Sequence, residues 1–394
     1  MLAGRQVIVL PEITQRNLGQ KSPHIRPLGH LRQSPGAAGV WQADQETHMD
    51  TFIIGADIAK ARFEVAVRGP AGEQAWGSFV NSPTGFEQLA EQLAAAQPQP
   101  EPAAVLLVLE PTGGYELALA EFGCERRWLV SRPNPKRVRD WAKGCGRRAK
   151  TDRVDARDLA RYGASQPVAH YQPLPPELSQ LDDLLARQED LQQMLRAELN
   201  RLGMLNSKPG HSPVVQADLT ANIAALEARL AKIGQEIKKH FKAQPKLQAK
   251  LSQLQSVPGI GPKNGVYVVL LLARWEHLTE GRGSVKGLVA FTGLDPKTYE
   301  SGTSVHKRAS ISRMGQSQTR RMLYMGALGG VRGNNVLREF YRGLVGRGKA
   351  KKLALTAGAR KILVWAWAVY QHDTLFDPER ARSKTASSQT RVAA

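Results

Sequence analysis

Cysteine is nearly missing from this 394-residue chain. Only Cys124 and Cys145 occur, without the paired spacing of a zinc site or a disulfide framework, so a reducing cytoplasm is the expected compartment. Long apolar runs are missing too. The longest, Val266–Ala273 and Ile362–Tyr370, fall well short of the roughly 20 residues a membrane-spanning helix needs, and no membrane partner is expected. Residues 1–48 lack the apolar core of a signal peptide and any sustained period; mixing Pro, Gly, Gln, Arg and His, they read as a disordered extension. Met49 directly precedes the first strand-like run and is the expected natural start. Acid is the remaining shortage: 35 Asp plus Glu face 55 Lys plus Arg, giving a formal charge of +20 and a pI near 10.1. That excess is the footprint of a polyanion binder, which makes nucleic acid the leading partner.

What is present divides into segments, as a length beyond one ordinary core suggests. From Phe52 onward, three alternating runs (Phe52–Asp57, Arg62–Val67 and Ala75–Val80) read as a meander. A helical stretch follows at Phe86–Ala96, then short apolar runs at Ala104–Leu109 and Arg127–Val130, each suited to a buried parallel strand. The order βββαβαβα predicts an α/β domain over residues 49–172 with a ribonuclease-H-like sheet. Pro173, Pro175 and Pro176 mark a boundary. Leu181, Leu184, Leu191, Leu195 and Leu202 then keep a helical period, and after a polar turn at Asn206–Pro213 a coiled-coil seam runs through Leu219, Ile223, Leu226, Leu230, Ile233 and Ile237. Residues 173–250 are therefore expected to form an antiparallel coiled-coil arm that packs on itself or on a second protomer. A mainly helical, basic domain is expected over residues 251–376, and a disordered tail over 377–394.

Acids stand at the ends of elements. Asp57 closes the first strand, Glu110 ends the central apolar run, and Asp152 and Asp155 lie three apart on one helical face. Splitting a phosphodiester needs a placed nucleophile and compensated charge on the entering and leaving oxygens, which two Mg²⁺ ions about 4 Å apart supply. Mg²⁺ prefers carboxylate oxygen, and clustered carboxylates repel one another unless a cation neutralises them. Taken singly, an Asp after a strand usually caps a turn and an Asp-x-x-Asp beside Arg usually makes surface pairs. Four acids at consistent element ends favour the metal. Asp158, a further three residues on, competes with Asp155 for the fourth place.

Basic residues concentrate in two stretches. Between Arg126 and Arg153, eleven Lys or Arg, among them Lys136, Arg137, Arg147, Arg148 and Lys150, face only Asp140 and Asp152. Between Lys307 and Arg360, thirteen, among them Lys307, Arg308, Arg313, Arg320, Arg321, Lys349, Lys351 and Lys352, face only Glu339. Such density favours phosphate contacts over a merely solvated face. Pro258-Gly259-Ile260-Gly261 between helical stretches fits a helix-hairpin-helix, with Gly259 and Gly261 bringing backbone N–H groups to a phosphate, although a glycine turn that only packs fits the same letters. Ser301, read alone, is one hydroxyl in a Ser-Gly-Thr-Ser loop, and such loops are mostly turns.

Several of these motifs together resemble one family. Gly55-Ala56-Asp57-Ile58-Ala59-Lys60, Glu110-Pro111-Thr112-Gly113-Gly114-Tyr115 and Lys150-Thr151-Asp152-Arg153-Val154-Asp155-Ala156-Arg157 are similar to the DEDD, RuvC-like domain of the IS-one-ten (IS110) insertion-sequence transposases, including their IS-eleven-eleven branch. Val257-Pro258-Gly259-Ile260-Gly261-Pro262, Phe291-Thr292-Gly293-Leu294, Tyr299-Glu300-Ser301-Gly302-Thr303-Ser304, Ile311-Ser312-Arg313-Met314-Gly315 and Arg320-Arg321-Met322-Leu323-Tyr324 resemble their C-terminal domain in order and spacing. The resemblance runs from about Met49 to Phe376, with little detail in the arm.

It implies that Asp57, Glu110, Asp152 and Asp155 bind Mg²⁺, or Mn²⁺ in its place, and that Ser301 is a nucleophile that becomes linked to DNA. It also implies target and donor DNA as partners, a structured non-coding (bridge) RNA as guide, and a homo-oligomer, dimer or tetramer, whose sites combine the acidic domain of one protomer with the serine domain of another. A prokaryotic, nucleoid-associated cytoplasmic enzyme would follow. The alternatives are a RuvC-like nuclease that hydrolyses branched DNA with water, and a non-catalytic RNA- or DNA-binding protein with remnant acids.

Overall fold

Hydrophobic alternation in the first half produces a sheet with two dressed faces. The computed structural model describes residues 51–96, 104–147, 151–301 and 305–382, with a two-residue strand β1 at Val40–Trp41. Strand β2 (Phe52–Ile58) pairs antiparallel with β3 (Arg62–Gly69), which pairs antiparallel with β4 (Gly72–Val80). On its other side β2 runs parallel to β5 (Val105–Leu109), which runs parallel to β6 (Leu129–Ser131), giving the order β4-β3-β2-β5-β6. Strand β5 is buried at every position, as a central parallel strand covered on both faces should be.

Odd and even residues of β2 serve different cores. Ile54, Ala56, Val65, Leu107 and Leu109 pack under helices α1 (Pro83–Ala96) and α2 (Leu117–Glu125), which supply Phe86, Leu89, Leu93, Leu119 and Phe122. Ile53, Leu106 and Val108 pack under α3 (Pro135–Gly144) and α4 (Asp152–Ser165), which supply Val138, Leu159 and Tyr162. Because side chains alternate along a strand, Asp57 and Glu110 share the α4 face with Ile53 and Val108.

The second half is mostly helical. Helices α5 (Pro176–Asn206) and α6 (Pro213–Ala243), 31 residues each, fold back on each other, and α5, α6, α7 (Pro245–Leu254) and α8 (Pro262–Leu278) all carry proline in the first turn, where its missing N–H is harmless. Helix α9 (Val285–Phe291), the hairpin β8 (Pro296–Ser301) and β9 (Val305–Ile311), then α10 (Ser317–Gly330), α11 (Val336–Gly346) and α12 (Lys351–His372) complete it. Their core surrounds Ile362, Leu363, Ala366 and Trp367 of α12 and takes in Leu181 and Leu185 of α5 with Ile237 and Phe241 of α6. The base of the arm is thus part of this core, while its far end exposes Met194, Leu199, Met204, Val214 and Val215. Residues Ala37–Ala394 form one compact unit. Among the described residues, no helix is long and apolar enough to cross a membrane.

Two expectations of disorder need correction. Val40 and Trp41 pair antiparallel with Ala169 and Val168 of β7 (Val168–Ala169), so the 1–48 segment contains a strand too short to leave a period; its other residues lie outside the described ones. Beyond Phe376, a helical turn at 378–382 is capped by the Asp377 carboxylate, buries Ala381 and bridges Arg382 to Glu339. Residues 383–394 lie outside the described ones.

Candidate active site

Three of the predicted acids lie within charge-interaction range of the fourth, Asp57, at one end of the sheet. Asp57 and Glu110 each follow the last paired residues of neighbouring parallel strands, where Ala56 lies opposite Leu109. Thr151 caps α4 by accepting a hydrogen bond from the Val154 N–H, which starts the helix so that Asp152 and Asp155 fall in its first turn. What presses that turn against the sheet is a glycine. A Cβ at Gly55 would stand 2.1 Å from the Ala156 carbonyl oxygen and 2.4 Å from the Ala160 nitrogen, so only glycine lets α4 cross β2 this closely. Near the other end of α4, a Cβ at Gly163 would meet side-chain methyls of Val108 at 2.7 Å and Ile53 at 3.1 Å.

The electrostatics record the convergence. Burial, and then the negative charges of Asp155, Asp152 and Glu110, push the Asp57 carboxyl from 3.8 up to about 6, against a backbone hydrogen bond at Ile58 that favours the anion. Among the described residues no three His, Cys, Asp or Glu side chains stand at metal-ligating separations. The donor set is all hard oxygen and of one sign, which fits Mg²⁺ or Mn²⁺ and no thiolate-seeking metal. Asp158 is buried and ion-paired with Arg147, whereas Asp155 acts on Asp57, so the geometry puts Asp155 on the acidic side and Asp158 in a structural pair.

Several residues around the acids carry no motif signal. Glu64 lies opposite Asp57 in the β2–β3 register and pairs with Arg153 at 3.8 Å. Arg139 of α3 reaches Glu110 at 3.6 Å. Glu116, only 1% exposed, accepts hydrogen bonds from the N–H groups of Thr112 and Gly114, each at 3.0 Å, and pairs with Arg132, whose guanidinium lies over the Tyr171 ring. Burial opposes its ionisation, but the N–H groups of Glu116, Thr112 and Gly114 and the Arg132 charge outweigh burial and hold the carboxyl below its ordinary value. The 110–116 loop is thereby fixed from inside.

The expected phosphate binders divide. Lys136 and Arg137 are exposed on α3, where Lys136 pairs with Asp140; Arg313, Lys349, Lys351 and Lys352 are exposed. Arg148 and Lys150 lie outside the described residues. Arg147, Arg320 and Arg321 serve the fold: Arg147 pairs with Asp158, Arg320 donates to the carbonyls of Thr292 and Gly315, and Arg321 pairs with the buried Glu189 at 2.5 Å. The hairpin reading of Gly259 and Gly261 is corrected likewise. The Gly261 N–H donates to Asn264 Oδ1 at 2.7 Å, Asn264 Nδ2 donates to the Gly259 carbonyl, and a Cβ at Gly259, whose φ is +93°, would strike Ile362 and Gly326. This turn is a packing joint between α8 and α10.

Ser301 ends β8 opposite Val305, with Tyr299 opposite Lys307, and residues 302–304 lie outside the described ones. Arg308 continues β9. The hairpin's base abuts the acidic half: Asn134 Nδ2 donates to the Met314 carbonyl at 3.2 Å, and Lys297 joins Lys136 and Lys143 in holding the Asp140 carboxyl below its usual range.

An α/β sheet with acids gathered at its strand ends, joined to a strongly basic helical half, has the composition of a phosphodiester-processing enzyme. Comparison with known proteins makes this particular. Residues 54–205 match the DEDD domain of IS110 elements, described as "Transposase", and residues 251–342 match "Transposase IS116/IS110/IS902 family". The "Pilin gene-inverting protein" of Moraxella lacunata and that of Moraxella bovis are each 30% identical over 332 residues, 84% of this chain and 98% of theirs. A "Probable family 20 transposase" of Pseudomonas aeruginosa is 25% identical over 165 residues, 41% of this chain and 46% of its own. The chain belongs to the IS110 family of transposases and is a DNA transposase/recombinase.

Proposed function

We propose that the enzyme cuts and rejoins DNA at a ribonuclease-H-like acidic site, in which Asp57, Glu110, Asp152 and Asp155 hold Mg²⁺ or Mn²⁺, and that Ser301 is the attacking group. The observation that carries this reading is that the charges of Asp155, Asp152 and Glu110 all act on the half-buried Asp57 carboxyl. When bound, the metal offsets negative charge on the entering and leaving oxygens of the phosphodiester. Asp57 and Glu110 supply a rigid floor from two strands, and Asp152 and Asp155 close it from the first turn of α4.

Ser301 rests on the resemblance of its Ser-Gly-Thr-Ser motif. Its Oγ forms a bond to phosphorus as the bond to one deoxyribose oxygen breaks, and that oxygen leaves as a hydroxyl carrying the proton the serine loses. Attack by a hydroxyl of a second strand reverses the step and frees Ser301, so phosphodiester energy is conserved for rejoining. Lys307, Arg308 and Arg313 are the nearby cations for the transferring phosphate. A structured guide RNA choosing target and donor DNA, assembly into a dimer or tetramer in which the coiled-coil arm contributes, and nucleoid association complete the proposal. Lys136, Arg137, Lys349, Lys351 and Lys352 offer exposed charge for nucleic-acid backbone.

A suicide DNA substrate with denaturing electrophoresis and mass spectrometry tests the chemistry. Wild type is expected to form a protein–DNA adduct on the Ser301 peptide. Ser301→Ala should form none, and Asp57→Asn should lose Mg²⁺-dependent cleavage while keeping nucleic-acid affinity. Cleavage retained by Ser301→Ala would mean that water is the nucleophile; cleavage retained by Asp57→Asn would remove that acid from the site.

A further inference from the structure

The loop that follows Glu110 is built around an aromatic ring it leaves in solvent. Tyr115 is 46% exposed and Leu117, beside it at the start of α2, is 38% exposed, in a domain whose other large apolar side chains are mostly buried. The backbone beneath them is held at both ends. Glu116 gathers the N–H groups of Thr112 and Gly114 from below; Thr112 Oγ1 donates to the Glu110 carbonyl at 3.0 Å; Gly113 and Gly114 adopt φ values of +65° and +101° that L side chains rarely reach. Asn81 then uses one amide nitrogen to bridge two loops, donating to the Tyr115 carbonyl and to the Ala59 carbonyl, each at 3.1 Å. Ala59 is two residues past Asp57. Tyr115 is therefore fixed to both strand ends that carry the acids, and exposed Lys60 follows directly on the Ala59 side.

A buried carboxylate, two left-handed glycines and a bridging amide are costly parts for a loop that only turns a corner. They hold the backbone that carries the Tyr115 ring in one place beside the acids, and ordering it in advance lowers the entropy lost on binding. We propose that Tyr115 stacks on an unpaired DNA base next to the phosphate to be cut, with Leu117 extending the apolar ledge. A base inside a duplex offers no free face; an unpaired base at the rim of the acid cluster does, and a ring fixed there covers it. This rests on the placement of the cutting site at the acids. Glu116, paired with Arg132, holds the loop backbone that carries the ring.

The test is 2-aminopurine fluorescence with the full-length protein in EDTA, using single-stranded DNA carrying the probe base at each position in turn, the same strand as duplex, and the same strand as RNA. Wild type and Tyr115→Phe should quench the single-stranded DNA probe. Tyr115→Ala should lose the quench and bind that strand about 5- to 140-fold more weakly, the range for about 1–3 kcal/mol per stacked base at 1.4 kcal/mol per tenfold, with duplex affinity unchanged. Equal quenching by Tyr115→Ala, quenching of the RNA strand alone, or a changed oligomer mass on sedimentation with no change in quenching would each overturn the proposal. Because EDTA removes metal chemistry, the outcome stands apart from the acid assignment: cleavage retained by Asp57→Asn would fail the acids without touching the quench.

Discussion

Gly55 and Gly261 sit in the two halves of the chain, and each belongs to a motif of the kind that marks function. Gly55 turns out to be a steric requirement of the site, because a side chain there would enter the backbone of α4, and α4 carries two of the acids. Gly261 has open space around its missing Cβ, with the nearest atom 3.9 Å away, and its N–H is already given to Asn264. The same contrast runs through the arginines, since Arg320 and Arg321 of the basic half bind carbonyls and a buried carboxylate of their own fold. The acidic half gathers its motif residues on one point; much of the C-terminal motif holds helices together.

The largest effect should come from Gly55→Ala. The 2.1 Å approach is to a backbone carbonyl that cannot turn aside, so β2 and α4 must separate, costing about 3 kcal/mol or more and moving Asp152 and Asp155 away from Asp57. Thermal unfolding should show the loss, and Mg²⁺ should no longer raise the midpoint. Gly261→Ala sharpens the comparison: it should leave both midpoint and DNA affinity near wild type, and a loss of affinity there would restore the phosphate-binding reading of the turn.

Next in size is Arg321→Ala, which strips a 7% exposed Glu189 of its hydrogen-bonded cation and leaves it the Gln193 amide and the Arg196 charge. Because the Arg321 side chain is itself 42% exposed, the cost is scaled down to about 2 kcal/mol. The salt dependence of DNA binding should keep its slope. A slope smaller by about one unit would instead count Arg321 as a phosphate contact.

Asp57→Asn should move stability the other way. In the folded metal-free protein the Asp57 carboxyl titrates at about 6 against an ordinary 3.8, so the native state holds the proton more tightly and stability falls as pH rises between those values, then levels off. Asparagine has no such proton. Discounted for the partial exposure of the group, the variant should be about 1–2 kcal/mol more stable than wild type above pH 7 without metal, and Mg²⁺ should narrow that gap. A wild-type midpoint that falls no further than that of Asp57→Asn between pH 4 and 8 would show that burial and the neighbouring acids do not hold a proton on Asp57.

The elements that place the site were legible because their signals are local. The strand-like run that begins at Phe52 located β2, the unbroken Val105–Leu109 run located β5, and acids at the ends of both followed directly. Partners distant in the chain were not legible. Arg321 meets Glu189 across 132 residues, and Arg132 meets Glu116 from a separate strand end, so charge density alone could not separate a phosphate binder from an internal clamp. Gly55 appeared within a motif, but its reason is a strand-to-helix distance that no spacing encodes. Glu64 could have been found: once β2 and β3 are read as a hairpin, alternation puts an acid opposite Asp57.

The smallest effect tests the edge of the acidic half. Residues from Ala37 onward form a compact unit, so deleting 1–36 should leave the unfolding midpoint and DNA binding unchanged. Deleting 1–48 additionally removes β1, whose two residues pair with Val168 and Ala169 just after α4. Val168 belongs to the core that seats α4, and the Ala169 carbonyl also accepts from Ser131 at the end of β6, so β7 keeps other ties when its partner strand is lost. Two residues of antiparallel pairing at a sheet edge contribute about 1 kcal/mol, enough to lower the midpoint by a few degrees and too little to unfold the domain. The informative reading is the difference between the two truncations, measured by calorimetry on both proteins at one pH. Equal midpoints would mean that β1 adds nothing to the fold, whereas failure of the shorter protein to express in soluble form would make the strand a requirement for seating α4 and its two acids.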